Sequence, residues 1–186
     1  MVSILVNLAI ALLVVLAAAG HTKSAPLKVI LRYFTELSNL LCALAALAVA
    51  VCRLGGGLPY AVGVLKYVGT AAVTVTMLTV VCFLGPTIGY KTMFTGPDLW
   101  LHAVCPALAI ISLLLWDKPA MPFRVVWLGT LPVALYTVMY IYRVLYAPEA
   151  RRWKDFYGFT RGGKWPPSCA AMLIGAFAVS VVLWLI

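Results

Sequence analysis

Two side chains in separate apolar segments have the chemistry needed for nucleophilic catalysis. Thr35 carries a hydroxyl group, which is a poor nucleophile until a neighbouring base accepts its proton. His102 lies inside an apolar segment, whereas the other histidine, His21, falls in a predicted connector. If the two segments are helices that enter a membrane from the same face, Thr35 and His102 lie at similar depth. The pair predicts acyl transfer to the threonine hydroxyl, with the imidazole as general base.

The residues around His102 are of the kind that could orient an imidazole ring. Asp98 precedes His102 by one helical turn and is predicted to reach back to the ring and fix its tautomer. Pro106 has no backbone N–H, so it removes the helical hydrogen bond to the carbonyl of His102. The alternative is structural: His102 bonds a neighbouring helix, and Asp98 caps the helix that follows Gly96 and Pro97.

A stripe of polar residues accompanies Thr35. Residues 27–54 contain no proline or glycine, which predicts one helix about 42 Å long, more than a membrane needs. Four polar side chains fall within an arc of about 100° on that helix, namely Arg32, Thr35, Glu36 and Asn39. Charged groups at membrane depth usually face the bundle interior, so the stripe predicts a substrate-binding surface. Alternatively, Arg32 and Glu36 neutralise each other at the headgroup boundary, and Asn39 bonds a neighbouring helix.

A second polar row lies near the end of the fifth apolar segment. Tyr136, Tyr140 and Arg143 follow one another at helical spacings of four and three residues. They could bind the carboxylate or phosphate of an amphiphile, with Arg143 taking the charge. The alternative is that the tyrosines are packing residues and interfacial anchors, and that Arg143 is a loop-flanking positive charge.

The elements that must position these residues are membrane helices. Of the 186 residues, 65% are hydrophobic and 10% are charged, and the mean hydropathy is +1.06, which excludes a water-soluble globule. Six apolar runs are about as long as a hydrocarbon core requires and lack period-two alternation, which excludes a barrel. The runs lie near residues 2–19, 33–52, 67–84, 99–116, 125–146 and 169–186. The predicted fold is an all-α, polytopic membrane bundle forming one domain over residues 1–186.

The first run has an alternative interpretation as a signal peptide. Ala17, Ala18 and Ala19 precede Gly20 and resemble a small-residue cleavage site. The run lacks the basic segment with which signal peptides begin, so a retained helix is the favoured prediction.

Basic residues are distributed unequally between the predicted connectors. The first, third and fifth connectors hold ten: Lys23, Lys28, Arg32, Lys91, Arg143, Arg151, Arg152, Lys154, Arg161 and Lys164. The second and fourth hold four: Arg53, Lys66, Lys118 and Arg124. Because cytoplasmic loops are enriched in lysine and arginine, the odd connectors are predicted in the cytoplasm and both termini outside.

Charge and composition also indicate the partners. The net charge of +9 favours contact with anionic lipid headgroups, and no nucleic-acid-binding module accompanies it. In the last connector, basic and aromatic residues alternate, which is typical of a membrane-surface segment. The five cysteines show no metal-ligand spacing, so no metal or other cofactor is predicted. Membrane lipids and a lipid or fatty-acyl substrate are the predicted partners, and nucleic acid is not.

Several segments together resemble a known family. They are RYFTELSNLL at residues 32–41, HAVCP at 102–106, DFYGFT at 155–160 and GGK at 162–164. In order and spacing they are similar to signatures of the androgen-induced membrane hydrolases and their bacterial relatives, over residues 28–165. The animal members are six-helix enzymes that hydrolyse fatty acid esters of hydroxy fatty acids with a threonine nucleophile and a histidine. The neighbours of His102 are less polar here than in the animal enzymes.

The resemblance implies that Thr35 is the nucleophile and His102 its base, in a protein of the bacterial inner membrane. The tetrahedral intermediate would need a hydrogen-bond donor, for which Asn39 or Ser38 is predicted. Two other classes of function remain open. A small transporter or lipid-binding protein would use the polar stripe as a cavity, with Arg32 or Arg143 holding an anionic ligand and no turnover. A scaffold would use its helices and basic connector to contact partners.

Overall fold

The computed structural model describes residues 1–160, 163 and 165–186; Arg161, Gly162 and Lys164 of the last connector lie outside the described residues. Within this part the chain is all-α, with six helices long and apolar enough to cross a membrane. They are α1 (Val2–Thr22), α2 (Phe34–Leu54), α3 (Tyr60–Ile88), α4 (Pro97–Asp117), α5 (Val125–Tyr146) and α6 (Trp165–Leu185). The predicted polytopic helical bundle is confirmed.

Helix α3 lies at the centre of the bundle. It contacts α2, α4, α5 and α6, while α1 packs against α2 and α4. Small residues make these contacts close: a Cβ added at Gly69 would lie 3.0 Å from the Cα of Cys42 on α2. A Cβ at Gly129 of α5 would lie 2.6 Å from Oγ of Ser180 on α6. Helices in lipid associate through such close packing because the apolar solvent supplies no hydrophobic driving force.

Helix α3 begins seven residues before the predicted start, and this changes the position of Lys66. Pro59, in an extended conformation, precedes the first residue of the helix, Tyr60. Lys66 therefore lies inside α3, where it is fully buried, and the assignment of Lys66 to a connector was wrong. Its Nζ donates a 2.6 Å hydrogen bond to Oδ1 of Asn7 on α1. The amine thus has a polar partner within the apolar bundle.

Asn7 belongs to a buried polar network at the end of the bundle where α1 begins and α4 ends. Its Nδ2 donates to Oδ2 of Asp117 at 2.7 Å. The same carboxylate accepts hydrogen bonds from Ser3 at 2.7 Å and from Ser112 at 2.5 Å. All five side chains of the network are buried, namely Ser3, Asn7, Lys66, Ser112 and Asp117. The network therefore supplies hydrogen-bond partners to a carboxylate and an amine that lipid would not solvate.

The predicted continuous helix over residues 27–54 was wrong, because the chain breaks before α2. A short helix, Leu27–Ile30, is followed by a turn, and Tyr33 is extended with φ −91° and ψ 135°. Contacts from distant segments replace helical hydrogen bonds at the break. The Arg32 carbonyl accepts a 2.6 Å bond from the Tyr136 hydroxyl, and the Phe34 N–H donates to the Tyr157 hydroxyl at 3.0 Å. Thr35 consequently lies in the first turn of α2.

Helix α4 contains a wide turn next to its proline. Residues Trp100–Val104 form a π-helical turn, in which the Cys105 N–H bonds the Trp100 carbonyl, five residues earlier. Pro106 follows immediately and cannot donate a backbone hydrogen bond. His102 therefore lies in a locally irregular part of α4, a feature frequent at functional sites.

Candidate functional site

Thr35 and His102 lie on the wall of the same open cavity. The cavity has a volume of about 450 Å³ and lies at the end of the bundle where α1 ends and α2 and α4 begin. Four further polar side chains are on its wall: His21, Ser24, Glu36 and Asp98. Phe156 and Tyr157 of the last connector also form part of its wall. Among the described residues no hydrogen bond joins Thr35 to His102, so their side chains meet only through the cavity.

The imidazole of His102 is oriented by a backbone carbonyl. The side chain is 5% exposed, and Nδ1 lies 2.7 Å from the carbonyl oxygen of Met93. A carbonyl can only accept, so Nδ1 carries the hydrogen, and in the neutral ring Nε2 keeps its lone pair. Asp98 was predicted to fix this tautomer, but that part of the prediction was wrong because Met93 occupies Nδ1. The resulting tautomer is still the one that a general base at Nε2 requires.

Asp98 and Glu36 are joined instead through His21, which the sequence interpretation placed in a connector and left without a role. Helix α1 extends through Thr22, and His21 lies in its last turn. The Nδ1 of His21 is 2.5 Å from Oε1 of Glu36, and its Nε2 is 3.4 Å from Oδ1 of Asp98. The pairing of Glu36 with Arg32 was therefore wrong. A signal existed, because Glu36 and Asp98 are among the four acidic residues, of five in the chain, that belong to the same end of the bundle as His21.

Asn39 and Ser38 hold the backbone of Thr35. Asn39 is fully buried, and its Nδ2 donates both to the Thr35 carbonyl at 2.9 Å and to the Leu101 carbonyl at 3.2 Å. Ser38 lies 3.1 Å from the Thr35 carbonyl and 2.8 Å from Oγ1 of Thr76. Both amide hydrogens of Asn39 are thus used, and it links the start of α2 to the turn that carries His102. This places Asn39 as a positioning residue rather than as a donor to an intermediate.

Tyr157, like His21, was not assigned a role by the sequence interpretation. It lies on the wall of the cavity and also on that of a small void of about 30 Å³, which Thr35 borders as well. Burial raises the pKa of Tyr157 to about 12, so the hydroxyl is neutral at physiological pH. Its oxygen accepts the Phe34 N–H. A neutral hydroxyl beside Thr35 could donate to negative charge that develops there.

The last connector is held against α5 by Asp155. Its carboxylate accepts hydrogen bonds from the Tyr140 hydroxyl at 2.8 Å and from the N–H groups of Phe159 at 3.0 Å and Thr160 at 2.7 Å. Burial raises the pKa of Asp155, but hydrogen bonds from Thr160 and Tyr140 outweigh this and hold the pKa below its ordinary value. The connector is thereby fixed where Tyr157 faces Thr35.

The tyrosines of α5 have structural roles, whereas the arginines lie together at the protein surface. The hydroxyl of Tyr136 bonds the Arg32 backbone, and that of Tyr140 bonds Asp155. The guanidinium carbons of Arg32 and Arg143 lie 5.8 and 5.6 Å from the centre of the Trp153 ring. Neither guanidinium forms an ion pair with a described carboxylate. Two guanidinium groups that lack a described carboxylate partner therefore lie close to the indole ring of Trp153.

Known proteins add no constraint on the function. No protein-family model, curated protein or solved structure matches this chain. Within the described part of the chain, no group of three or more His, Cys, Asp or Glu side chains is arranged to hold a metal ion.

Proposed function

We propose that this chain is an intramembrane hydrolase of lipid esters, with Thr35 as nucleophile and His102 as general base. The observation that carries the proposal is that both side chains lie on the wall of one open cavity. The hydrogen bond from Nδ1 of His102 to Met93 supports it, since Nε2 is then free to accept a proton. The segments that resemble the androgen-induced membrane hydrolases contain both residues.

The reaction takes place in two steps. Oγ1 of Thr35 attacks the ester carbonyl carbon as its proton passes to Nε2 of His102. The bond from that carbon to the alkoxy oxygen breaks, and His102 returns the proton to the leaving alcohol. Water then attacks the acyl-threonine, with His102 accepting a proton that it returns to Thr35, and the carboxylic acid leaves. One water molecule is consumed, and one alcohol and one acid are released.

Other residues of the cavity have supporting roles in this mechanism. The Tyr157 hydroxyl donates to the oxyanion of the tetrahedral intermediate, the role that Asn39 or Ser38 was expected to fill. Arg32 and Arg143 attract the anionic end of a substrate at the surface, beside the aromatic side chains of Tyr33 and Phe156 that border the cavity. Fatty acid esters of hydroxy fatty acids, which carry such an anionic end, are the proposed substrates.

Covalent labelling by a fluorophosphonate probe tests the nucleophile. The purified protein is compared with Thr35→Ala, Thr35→Ser and His102→Ala, each checked for an unchanged melting temperature. We expect Thr35→Ala to abolish labelling, Thr35→Ser to retain it, and His102→Ala to slow it by about 100-fold or more. Labelling that persists in Thr35→Ala would remove Thr35 from the mechanism.

A lipid-binding or transport protein without turnover is the second candidate function. The observation that favours it is the unpaired charge of Arg32 and Arg143 around Trp153. Under this alternative, well-folded wild-type protein is not labelled, and an anionic amphiphile raises its melting temperature. Replacing both arginines by glutamine would then abolish the increase.

The membrane orientation is also part of the proposal. With Lys66 inside α3, the connectors at the cavity end hold an even larger share of the loop lysines and arginines. We place that end, with Thr35 and His102, at the cytoplasmic face of a bacterial inner membrane, and both termini outside.

A further inference from the structure

An apolar groove of about 640 Å³ runs along the outside of the bundle between α3 and α6. Its walls include Leu78, Cys82 and Phe83 of α3 and Ala171, Gly175 and Val179 of α6. The exposed sides of both helices face the surroundings of the bundle, which at this depth are the acyl chains of the membrane. The groove is therefore a concave surface within the hydrocarbon layer.

The groove leads towards Thr35. The small void beside Thr35 shares wall residues with the groove, among them Thr79, Leu84 and Met172. Thr35 forms part of the wall of this void and of the polar cavity that contains His102. An apolar route from the membrane and a polar cavity thus meet at one hydroxyl-bearing side chain. Met172, an unbranched and conformationally adaptable side chain, lies on the walls of both the void and the groove.

We propose that the groove between α3 and α6 is a lateral portal that holds one acyl chain of a membrane lipid, with its carbonyl end directed towards Thr35. The occupant is an acyl chain because the groove is apolar, opens within the hydrocarbon layer and shares wall residues with the void beside Thr35. A chain that enters sideways never leaves an apolar environment, whereas entry through water would expose every methylene group. Only the direction of the chain rests on the proposed hydrolase function.

Substitution of Gly175 by a bulky residue tests the portal. A Cβ added at Gly175 meets no atom within 4 Å, so a side chain there extends into the groove without a clash. Its neighbour Ile174 is 69% exposed and is not on the groove wall, so Ile174→Trp is a matched control on the same helix. Gly175→Ala controls for the loss of glycine.

The occupant is tested by photo-crosslinking. The protein is reconstituted in phosphatidylcholine vesicles that carry a diazirine on one acyl chain, irradiated, and its adducts are mapped by mass spectrometry. We expect the adducts to be enriched on residues 78–84 and 171–179 relative to the exposed face of α1. Gly175→Trp should reduce those adducts at least five-fold, while Gly175→Ala and Ile174→Trp leave them unchanged. Groove adducts that are absent, or equally strong in Gly175→Trp, would overturn the portal.

Hydrolysis distinguishes the portal from the proposed function. We expect Gly175→Trp to reduce hydrolysis of a long-chain ester at least ten-fold, but to leave fluorophosphonate labelling and hydrolysis of a short-chain ester within two-fold. Wild-type protein that is neither labelled nor active, yet crosslinks in the groove, would refute the hydrolase and support the portal as a binding groove. Long-chain hydrolysis that is unchanged in Gly175→Trp would refute the portal and leave the hydrolase standing.

Discussion

Individual polar side chains decide whether charged groups can be buried in this bundle. Asn7 is the clearest case, because it donates to the carboxylate of Asp117 and accepts from the amine of Lys66. Neither charged residue has any exposed surface. Removing Asn7 would leave the amine without its hydrogen-bond acceptor and the carboxylate with one donor fewer, and buried polar groups without partners are costly.

We expect Asn7→Ala to destabilise the protein by on the order of 2–4 kcal/mol, the range found when a buried polar or charged network loses a member. Thermal unfolding in one detergent measures the effect. Leu8→Ala is the control, since Leu8 is 43% exposed on the same helix and should change stability far less. Equal melting temperatures for the two variants would show that Asn7 is not needed to bury Lys66 and Asp117.

The geometry of the candidate site depends on irregular elements rather than on regular helices. The break before α2 puts Thr35 in a first helical turn, and the π-helical turn of α4 carries His102. The last connector covers the break, because the Tyr157 hydroxyl accepts the N–H of Phe34. Its position depends in turn on the carboxylate of Asp155.

The lowered pKa of Asp155 makes the stability of the folded connector dependent on pH. Because the pKa is lower in the folded protein, the stabilisation is complete above the ordinary aspartate pKa of about 3.9. It is lost as the pH falls through the lower, folded value. We expect hydrogen exchange of residues 147–160, corrected for its intrinsic rate, to be slow at pH 5 and faster in more acidic solution.

Asp155→Asn should remove this pH dependence and speed exchange in the connector at pH 7, since a neutral amide accepts hydrogen bonds less strongly. Exchange in α1 is the internal control, because α1 makes no hydrogen bond to Asp155. A connector that exchanges at the same rate in both proteins would contradict the assigned role of Asp155.

At the scale of the whole molecule, the described residues form six helices long and apolar enough to cross a membrane, an even number, so Val2 and Leu185 lie on one side of the bundle. The buried network of Asn7 lies at that side, and the cavity with Thr35 and His102 lies at the other. The connectors at the cavity end carry most of the basic residues, which favours the cytoplasm for this end.

We expect a periplasmic reporter enzyme fused after Ile186 to be active in a bacterial host, and a fluorescent protein that folds only in the cytoplasm to be dark there. The opposite result would reverse the orientation and put the cavity outside. A fusion after Leu54 serves as a second external site, since α2 ends on the same side as the C-terminus.

Much of the architecture follows from the sequence. The lengths of the apolar runs determine six spanning helices, because a backbone in lipid must satisfy its own hydrogen bonds. Helix parity then determines that Thr35 and His102 lie at the same end of the bundle. These features depend on local composition and on the order of the helices along the chain, and both can be read from the sequence without knowledge of any tertiary contact.

Contacts between distant segments were decided by the tertiary structure. Met93 rather than Asp98 orients His102, and Asp98 and Glu36 meet at His21. At the break before α2, hydroxyl groups of the fifth helix and the last connector bond the backbone groups of Arg32 and Phe34. Each outcome depends on which of several possible hydrogen-bond partners lies within reach. That choice is made when the helices pack, because the sequence specifies the groups but not the distances between them.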